Sequence, residues 1–181
     1  MRVGVISDTH GLLRPEALHA LRGVDHIFHC GDIGGGEVLA ELRAIAPLTA
    51  CAGNVDDFRC VAATAAQVIE AGETARRSLG GLRFFLVHIL DRPHQPRPGV
   101  LAELRREPAD VVLFGHSHLP HDERVDGVWY FNPASAGPRR FDYPVSVGMF
   151  EKVRGRWRAR HVPLDERSAG ALQAHMNQLS Q

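Results

Sequence analysis

Lysine is almost absent from this sequence of 181 residues, in which Lys152 stands alone against twenty arginines. A phosphate-binding P-loop requires a lysine followed by serine or threonine, but Lys152 is followed by Val153. Covalent catalysis through a Schiff base also requires a lysine, and Lys152 is the single candidate. The shortage of lysine therefore argues against both P-loop nucleotide hydrolysis and Schiff-base chemistry.

Cysteine, net charge and long apolar runs are also scarce. The three cysteines, Cys30, Cys51 and Cys60, show no paired spacing, which is typical of a reducing compartment. The formal net charge is zero, so the chain carries no strong signature of nucleic-acid binding. The longest apolar runs, such as residues 84–87, are too short to cross a membrane, and the N-terminus turns polar too early for a signal peptide. We therefore expect a soluble, cytoplasmic protein without a membrane partner.

Short apolar segments bounded by turn residues predict an α/β fold. The length favours one domain over residues 1–181, with alternating strands and helices early and successive strands late. Loops are expected at residues 71–81 and 91–99. Strands are predicted at residues 3–6, 26–30, 48–52, 82–87, 111–114, 128–131 and 145–150, and helices at residues 14–23, 37–46, 100–108 and 164–180.

Polar side chains follow five of the predicted strands, directly after each apolar run. In open α/β sheets, ligands collect outside the carboxyl ends of the strands, so these side chains are expected to share one crevice. They are Asp8, His10, Asp32, Asn54, His88, His116 and His118.

The chemistry of this set indicates a metal site. Carboxylate, carboxamide and imidazole groups without a thiolate suit divalent ions such as Mn²⁺, Fe²⁺, Zn²⁺, Co²⁺ or Ni²⁺, with Mg²⁺ as a further candidate. Seven ligands exceed the three or four that one catalytic ion takes, which favours two ions sharing a carboxylate. We expect two divalent ions as cofactors, with Mn²⁺ preferred.

The spacing of the ligands has a geometric reading. In extended chain, residues two apart point the same way, so the first and third residues of 8-DTH-10 and of 116-HSH-118 are expected to face one region. The middle residues, Thr9 and Ser117, are expected to point away. Glycines precede three of the ligands and allow close backbone approach. They are Gly31, Gly53 and Gly115.

Taken together, these motifs resemble those of the calcineurin-like metallophosphoesterases. The family pattern is D-x-H, then G-D, then G-N-x-[DE], then H, then G-H-x-H. It is present here, in order, as 8-DTH-10, 31-GD-32, 53-GNVD-56, His88 and 115-GHSH-118, and 132-NPAS-135 is similar to the N-P-G-S of the small bacterial and archaeal phosphodiesterase subgroup.

The resemblance implies a four-layer α/β/β/α sandwich of two mixed β-sheets flanked by helices. It also implies hydrolysis of a P–O bond in a small phosphoester, with diesters favoured, by in-line attack of a hydroxide held between two metals. The subgroup makes a homodimer a candidate assembly. By position, Asp8, His10 and His118 would hold one metal, Asn54, His88 and His116 the other, and Asp32 would bridge them, so that His10, Asp32, Asn54 and His88 would also serve catalysis.

Three motifs depart from the family pattern. Val55 stands where many members carry a histidine that protonates the leaving group. In 88-HIL-90, Ile89 replaces the glycine and Leu90 the second histidine of the subgroup's H-G-H, and Ala134 replaces the glycine of N-P-G-S. His94 or Asp91, in the adjoining predicted loop, could supply the proton instead. Substrates with good leaving groups are expected to react best, because they need the least protonation.

Several further residues have two readings each. Arg139 and Arg140 could grip a phosphate bidentately or form a solvated turn. Asp56 could belong to a plain loop or orient a nearby ligand. His29 and His121 lie close to ligands along the chain and could reach the site.

Two other functions compete with phosphoester hydrolysis. One is a scaffold or binding protein with little catalytic activity, like the retromer subunit that has this fold, although such a protein should lose ligands that are all present here. The other is a serine hydrolase, because residues 115–119 approach the G-x-S-x-G elbow; Leu119 occupies the position of its last glycine.

Overall fold

A computed structural model describes residues 1–56, 72–92 and 95–179 of the chain. The described helices are α1 (Pro15–Ala20), α2 (Gly36–Ile45), α3 (Pro98–Arg106) and α4 (Glu166–Leu179). The described strands are β1 (Arg2–Ile6), β2 (His26–His29), β3 (Leu48–Ala50), β4 (Thr74–Leu79), β5 (Leu82–Val87), β6 (Asp91–Arg92), β7 (Gln95–Pro96), β8 (Val111–Leu113), β9 (Pro120–Val125), β10 (Val128–Pro133), β11 (Ser146–Val153) and β12 (Arg156–Pro163). No helix of these described ranges is both long and apolar enough to cross a membrane.

Ten strands form two five-stranded sheets, each of mixed direction. The first sheet has the order β12-β11-β1-β2-β3, in which β1, β2 and β3 are parallel, β11 runs antiparallel to β1, and β12 runs antiparallel to β11. The second has the order β4-β5-β8-β10-β9, in which β5, β8 and β10 are parallel and the two edge strands are antiparallel. Strands β6 and β7 form a separate short ribbon.

Three apolar clusters hold the layers together. Phenylalanines of both sheets meet between them, as shown by the rings of Phe28 and Phe84, whose centroids lie 4.9 Å apart. Leu39 and Leu42 of α2 pack against the outer face of the first sheet, and Val100 of α3 packs against that of the second. This arrangement confirms the expected four-layer α/β/β/α sandwich of two mixed sheets.

The predicted loop at residues 71–81 is wrong for most of its length, because it contains β4. This edge strand carries arginines and leaves much of its surface in solvent, so its sequence lacks the apolar run typical of an inner strand. The sequence analysis missed β9 and β12 for the same reason, because both lie at sheet edges and mix polar with apolar residues. The predicted loop at residues 91–99 contains the short β6 and β7 and the start of α3.

The topology positions the candidate site. The parallel strands β1, β2 and β3 of the first sheet end on the same side, as do β5 and β8 of the second. Each of these five ends is followed by one of the polar motifs. The sandwich therefore collects side chains from two sheets at one end of the central core.

Candidate metal centre

Six of the seven predicted ligands form two groups whose ligand atoms are close enough to hold a metal ion. Within each group the ligand atoms lie within 4.8 Å of one another. The first group is Asp8, His10 and His118, and the second is Asp32, His88 and His116. Each group combines at least one side chain that follows a strand of the first sheet with at least one that follows a strand of the second, so the site exists only when the two sheets are packed together.

Asp32 connects the two groups. One of its carboxylate oxygens lies 3.6 Å from His10 Nε2, and the other lies 3.2 Å from His88 Nε2. The first group is equally tight, with 3.2 Å between His118 Nε2 and Asp8 Oδ1 and 3.4 Å between the Nε2 atoms of His10 and His118. The position of Asp32 between the groups is the one that a bridging carboxylate requires.

Unpartnered buried atoms show that these residues fit a cation. Nδ1 of His88 lies 2.7 Å from the Cys30 carbonyl oxygen and donates its proton there, so Nε2, 3.2 Å from Asp32, is the ring atom left to face the site. Neither His88 Nε2 nor Asp8 Oδ1 has a hydrogen-bond partner, although both are buried. A divalent ion would satisfy both atoms, whereas leaving buried polar atoms unpaired costs about 1–3 kcal/mol each.

The backbone at the ligands corrects the sequence-based geometry. Five of the predicted ligands have left-handed φ angles of 47° to 66°, so neither motif is extended chain. This conformation is strained for residues other than glycine, and such strain is concentrated at functional sites. These five are Asp8, His10, Asp32, His116 and His118.

Thr9 and Ser117 point away from the ligand groups, as predicted, because hydrogen bonds hold them elsewhere. Thr9 Oγ1 donates to the Ile33 carbonyl at 2.9 Å and lies 2.9 Å from His29 Nε2. Ser117 Oγ accepts from the Leu119 amide and from the Asn132 side chain, both at 3.2 Å. Local hydrogen bonding, rather than strand alternation, therefore decides their directions.

His29 lies behind the site and has a single tautomer. The Gly31 amide donates to its Nδ1, so Nε2 carries the proton and donates to Thr9 Oγ1. Burial lowers the pKa of His29 to about 4, against the opposing effect of the Asp56 and Asp8 charges, and the ring is neutral near pH 7. His29 was expected to be able to reach the site. It does so only indirectly, because it contacts Thr9, which lies between the predicted ligands Asp8 and His10.

Asp56 fastens two of the ligand loops to each other. Its carboxylate accepts hydrogen bonds from the amides of Ile33 at 2.9 Å, Gly34 at 3.0 Å and Gly53 at 2.8 Å. These amides flank the ligands Asp32 and Asn54 along the chain. Of the two readings of Asp56, the structure supports the orienting one.

Two glycines permit close approach of the loops. A Cβ atom on Gly53 would overlap the Asp32 carboxylate, and one on Gly115 would overlap the Ser7 hydroxyl and crowd the Asp8 carboxylate. Any side chain at either position would push a ligand out of place. The close approach predicted for glycines at these strand ends is confirmed.

Burial and neighbouring charges shift the pKa values of the site residues in different directions. Burial opposes the charge on Asp32, but His88, the Val55 amide and His10 outweigh it and lower the pKa of Asp32 to about 2. Burial lowers the pKa of His10, so its lone pair is free at neutral pH. Burial would also lower the pKa of His88, but the Asp32 and Asp8 carboxylates raise it, which shows how strongly this point of the site attracts positive charge.

The two arginines predicted to bind phosphate have different contacts. Arg139 donates to the Tyr143 carbonyl at 2.6 Å, to Asp165 at 2.5 Å and to Ser168 at 3.0 Å, so its guanidinium is taken up in anchoring a loop to the start of α4. Arg140 is exposed, and its Nη2 lies 3.4 Å from His10 Nε2. The structure therefore brings Arg140, and not Arg139, together with the ligands.

The other predicted site residues lie at the margin or outside the described ranges. Asn54 and Val55 are exposed in the loop that follows Gly53. Asp91 pairs with Arg97 at 3.2 Å. His94 falls outside the described residues, so its proposed role as a proton donor stays a prediction.

Sequence reasoning assigned no role to two residues of 132-NPAS-135 that support the site. Asn132 Nδ2 donates to the Gly115 carbonyl at 2.8 Å, and Ser135 Oγ donates to the Asp8 carbonyl at 3.0 Å. Ala134 between them has a φ of 67°, which glycine adopts without strain. The similarity of this segment to N-P-G-S was the sequence signal that could have identified both residues. The segment holds the loops that carry His116 and Asp8.

The match to known proteins agrees with this geometry. Residues 1–154 match the calcineurin-like phosphoesterase superfamily domain, and the chain belongs to that family of metal-dependent phosphoester hydrolases. It is 34% identical over 157 residues to a probable metallophosphoesterase from Methanothermobacter thermautotrophicus, covering 81% of this chain and 84% of that protein. It is 29% identical over 143 residues to a phosphodiesterase from Methanocaldococcus jannaschii, covering 74% and 82%.

The fold is shared with a protein whose name does not describe an enzyme. The Zn²⁺ complex of Vps29 from Entamoeba histolytica superposes with a TM-score of 0.64 at 22% identity, over 91% of this chain and all of that one. This likeness shows the fold alone.

Proposed function

We propose that the protein is a two-metal phosphoesterase that prefers small phosphodiesters. The observation that carries the proposal is the position of Asp32, whose two carboxylate oxygens face different ligand groups at 3.6 and 3.2 Å. Two ions that share one carboxylate can act on both the attacking and the leaving oxygen of an in-line displacement. The preferred ions are Mn²⁺, followed by Fe²⁺, Zn²⁺, Ni²⁺, Co²⁺ or Mg²⁺.

The chain's own residues would hold and orient the reacting groups. When bound, the ions would polarise the phosphoryl group and lower the pKa of water so that it attacks at neutral pH. Asp8, His10 and His118 would hold one ion, and His88, His116 and Asn54 the other. The hydrogen bond from His88 Nδ1 to the Cys30 carbonyl holds that ring in a single orientation. Arg140, beside His10, would balance the charge of the phosphoryl oxygens.

Two observations favour activated diesters as substrates. Val55 stands where many relatives carry a proton-donating histidine, and its exposed side chain cannot donate a proton. Aryl esters, whether monoesters or diesters, have good leaving groups and need little protonation. The similarity to the phosphodiesterase from Methanocaldococcus jannaschii, at 29% identity, supports diesters among them.

Side-by-side hydrolysis of bis(4-nitrophenyl) phosphate and 4-nitrophenyl phosphate with added Mn²⁺ tests the proposal. We expect faster turnover of the diester, loss of turnover in Asp32→Asn, and unchanged turnover in Glu41→Gln, a matched change at an exposed residue of α2. Full activity in Asp32→Asn would refute the bridging role.

A second measurement compares a series of aryl esters. The rate should fall steeply as the leaving-group pKa rises, and a rate that does not depend on this pKa would contradict the lack of a strong proton donor.

The scaffold alternative requires a test of turnover. Vps29, which has this fold, was crystallised with Zn²⁺, so metal uptake by itself does not distinguish a scaffold from an enzyme. Metal binding without hydrolysis of any phosphoester would favour the scaffold. The serine hydrolase alternative has less support, because within the described ranges no imidazole is hydrogen-bonded to Ser117 Oγ; inactivation by a fluorophosphonate but not by a chelator would revive it.

A further inference from the structure

A cavity of about 390 Å³ opens beside the second ligand group. This volume lies within the range of ~300–1,000 Å³ typical of sites for small molecules. The strand ends supply most of its walls, and α4 contributes His175. Its lining includes Leu90, Phe114, Gly115, His116, His121 and His175.

The cavity walls suit a flat, uncharged group. The rings of Phe114 and His121 lie side by side with centroids 5.6 Å apart, and Leu90 is buried beneath the wall. Asp91, the one carboxylate of the described lining, pairs with Arg97 at 3.2 Å. Burial lowers the pKa of His121, so its ring is neutral at pH 7. Aromatic and apolar walls with little free charge favour an aromatic guest.

The cavity is continuous with the metal centre. Gly115 and His116 line it, and both also belong to the ligand framework. The Gly115 amide donates to the His88 carbonyl at 3.0 Å, and the His116 amide donates to Asp8 Oδ2 at 3.2 Å. A substituent on a phosphoryl group held by Asp32, His88 and His116 therefore has this space directly beside it.

We propose that this cavity seats an aromatic ester group of the phosphodiester substrate. The proposal rests on the proposed function and gives a physical reason for its preference. A diester can place an aromatic ring among Leu90, Phe114 and His121. A monoester that lacks a second organic group has at most one substituent to place there, and a charged oxygen turned into apolar walls would lose its hydration.

Binding of two diester analogues by calorimetry tests this assignment without depending on turnover. The probes are methyl phenylphosphonate and methyl methylphosphonate, which carry the same charge and differ only in the aromatic ring. We expect the phenyl compound to bind the Mn²⁺-supplemented wild-type protein about tenfold more tightly, the magnitude of a modest apolar contact. Equal binding by the wild-type protein would overturn the proposal.

Variants on α4 locate the effect. His175→Trp adds bulk to the cavity and should remove the advantage of the phenyl compound, whereas Ala174→Trp introduces the same side chain at a neighbouring exposed residue and should retain it. A persistent phenyl advantage in His175→Trp would place the ring elsewhere. If thermal unfolding shows that His175→Trp is not folded, Leu119→Trp, which changes another residue of the lining, replaces it with the same expected loss.

The outcomes separate this inference from the proposed function. If diesters are hydrolysed but the two phosphonates bind equally, only the cavity assignment fails. If no phosphoester is hydrolysed, the proposed function fails, and the phosphonate comparison still decides whether the cavity binds an aromatic group.

Discussion

The floor and the rim of the metal centre are built in different ways. We call the buried ligands and their supports the floor, and the exposed residues around it the rim. Floor side chains are held by backbone groups of other loops, as His88 is by the Cys30 carbonyl and Asp56 by three amides. The rim residues Val55 and Arg140 are exposed.

The difference separates two functions of one site. A floor fixed by backbone contacts from several strand ends determines which ions can bind and keeps their ligands in place. An exposed rim is free to vary without loss of the fold, so it is suited to substrate selection. Floor variants should therefore lose stability and metal together, whereas rim variants should change substrate binding alone.

The largest effect is expected from Asp56→Ala in the floor. This change leaves the amides of Ile33, Gly34 and Gly53, two of them buried, without their acceptor, at a cost of about 4 kcal/mol in the free energy of unfolding. Urea unfolding measures the loss, and Mn²⁺ titration should show weaker binding. Val55→Ala, at the adjoining exposed residue of the rim, is the control and should leave both the free energy of unfolding and Mn²⁺ binding unchanged. Equal effects of the two variants would remove the distinction between floor and rim.

Metal removal should produce the next largest effect. Ions that bind only the folded floor stabilise it by about 2.7 kcal/mol at a free concentration one hundred times the Kd. Thermal unfolding should therefore occur at a lower temperature in a chelator than in Mn²⁺. The shift should shrink in Asp32→Asn, and Arg140→Ala at the rim should retain it in full. A melting temperature that is the same in chelator and in Mn²⁺ would argue against ions in the floor.

The buried His29 predicts a pH dependence of the floor. Its pKa is about 4 in the folded chain against an ordinary value of 6.5, so the unfolded chain binds a proton more readily as the pH falls. Stability from this group is complete above pH 6.5 and declines towards pH 4, by about 1.4 kcal/mol per pH unit. The variant His29→Gln cannot titrate at this position. In urea unfolding with chelator present, the excess of the wild-type free energy of unfolding over that of the variant should therefore decrease as the pH falls from 6.5 to 4. A constant difference would contradict the lowered pKa.

The smallest effect on the free energy of unfolding is expected from changes at Arg139 and Arg140. These two neighbours should differ most clearly, since one should affect stability and the other substrate binding. Arg139→Ala removes the anchor to Tyr143, Asp165 and Ser168 and should cost about 1 kcal/mol in the free energy of unfolding with little change in KM. Arg140→Ala should leave stability unchanged and raise the KM for bis(4-nitrophenyl) phosphate about tenfold, as expected for one charged contact. Reversed outcomes would show that the roles of the two residues are exchanged.

Six of the seven predicted ligands lie together in the structure, and they could be selected from the sequence because each of them follows an apolar strand. The same reasoning could not separate Arg139 from Arg140, since both follow one motif and only the position of α4 draws the first of them away. It also predicted the wrong backbone around the ligands, because left-handed φ angles at His116 and His118 depend on hydrogen bonds from other strands.

By itself, the sequence determined the donor set, its division among five strand ends and the layered α/β architecture, because apolar runs and the polar residues that end them are local features. Only the tertiary structure decided which donors face one another across the two sheets, which arginine reaches them and where a cavity opens beside His116. These outcomes depend on contacts between residues far apart in the chain. The Asp32 carboxylate acquires its place between two ligand groups only when the second sheet delivers His88.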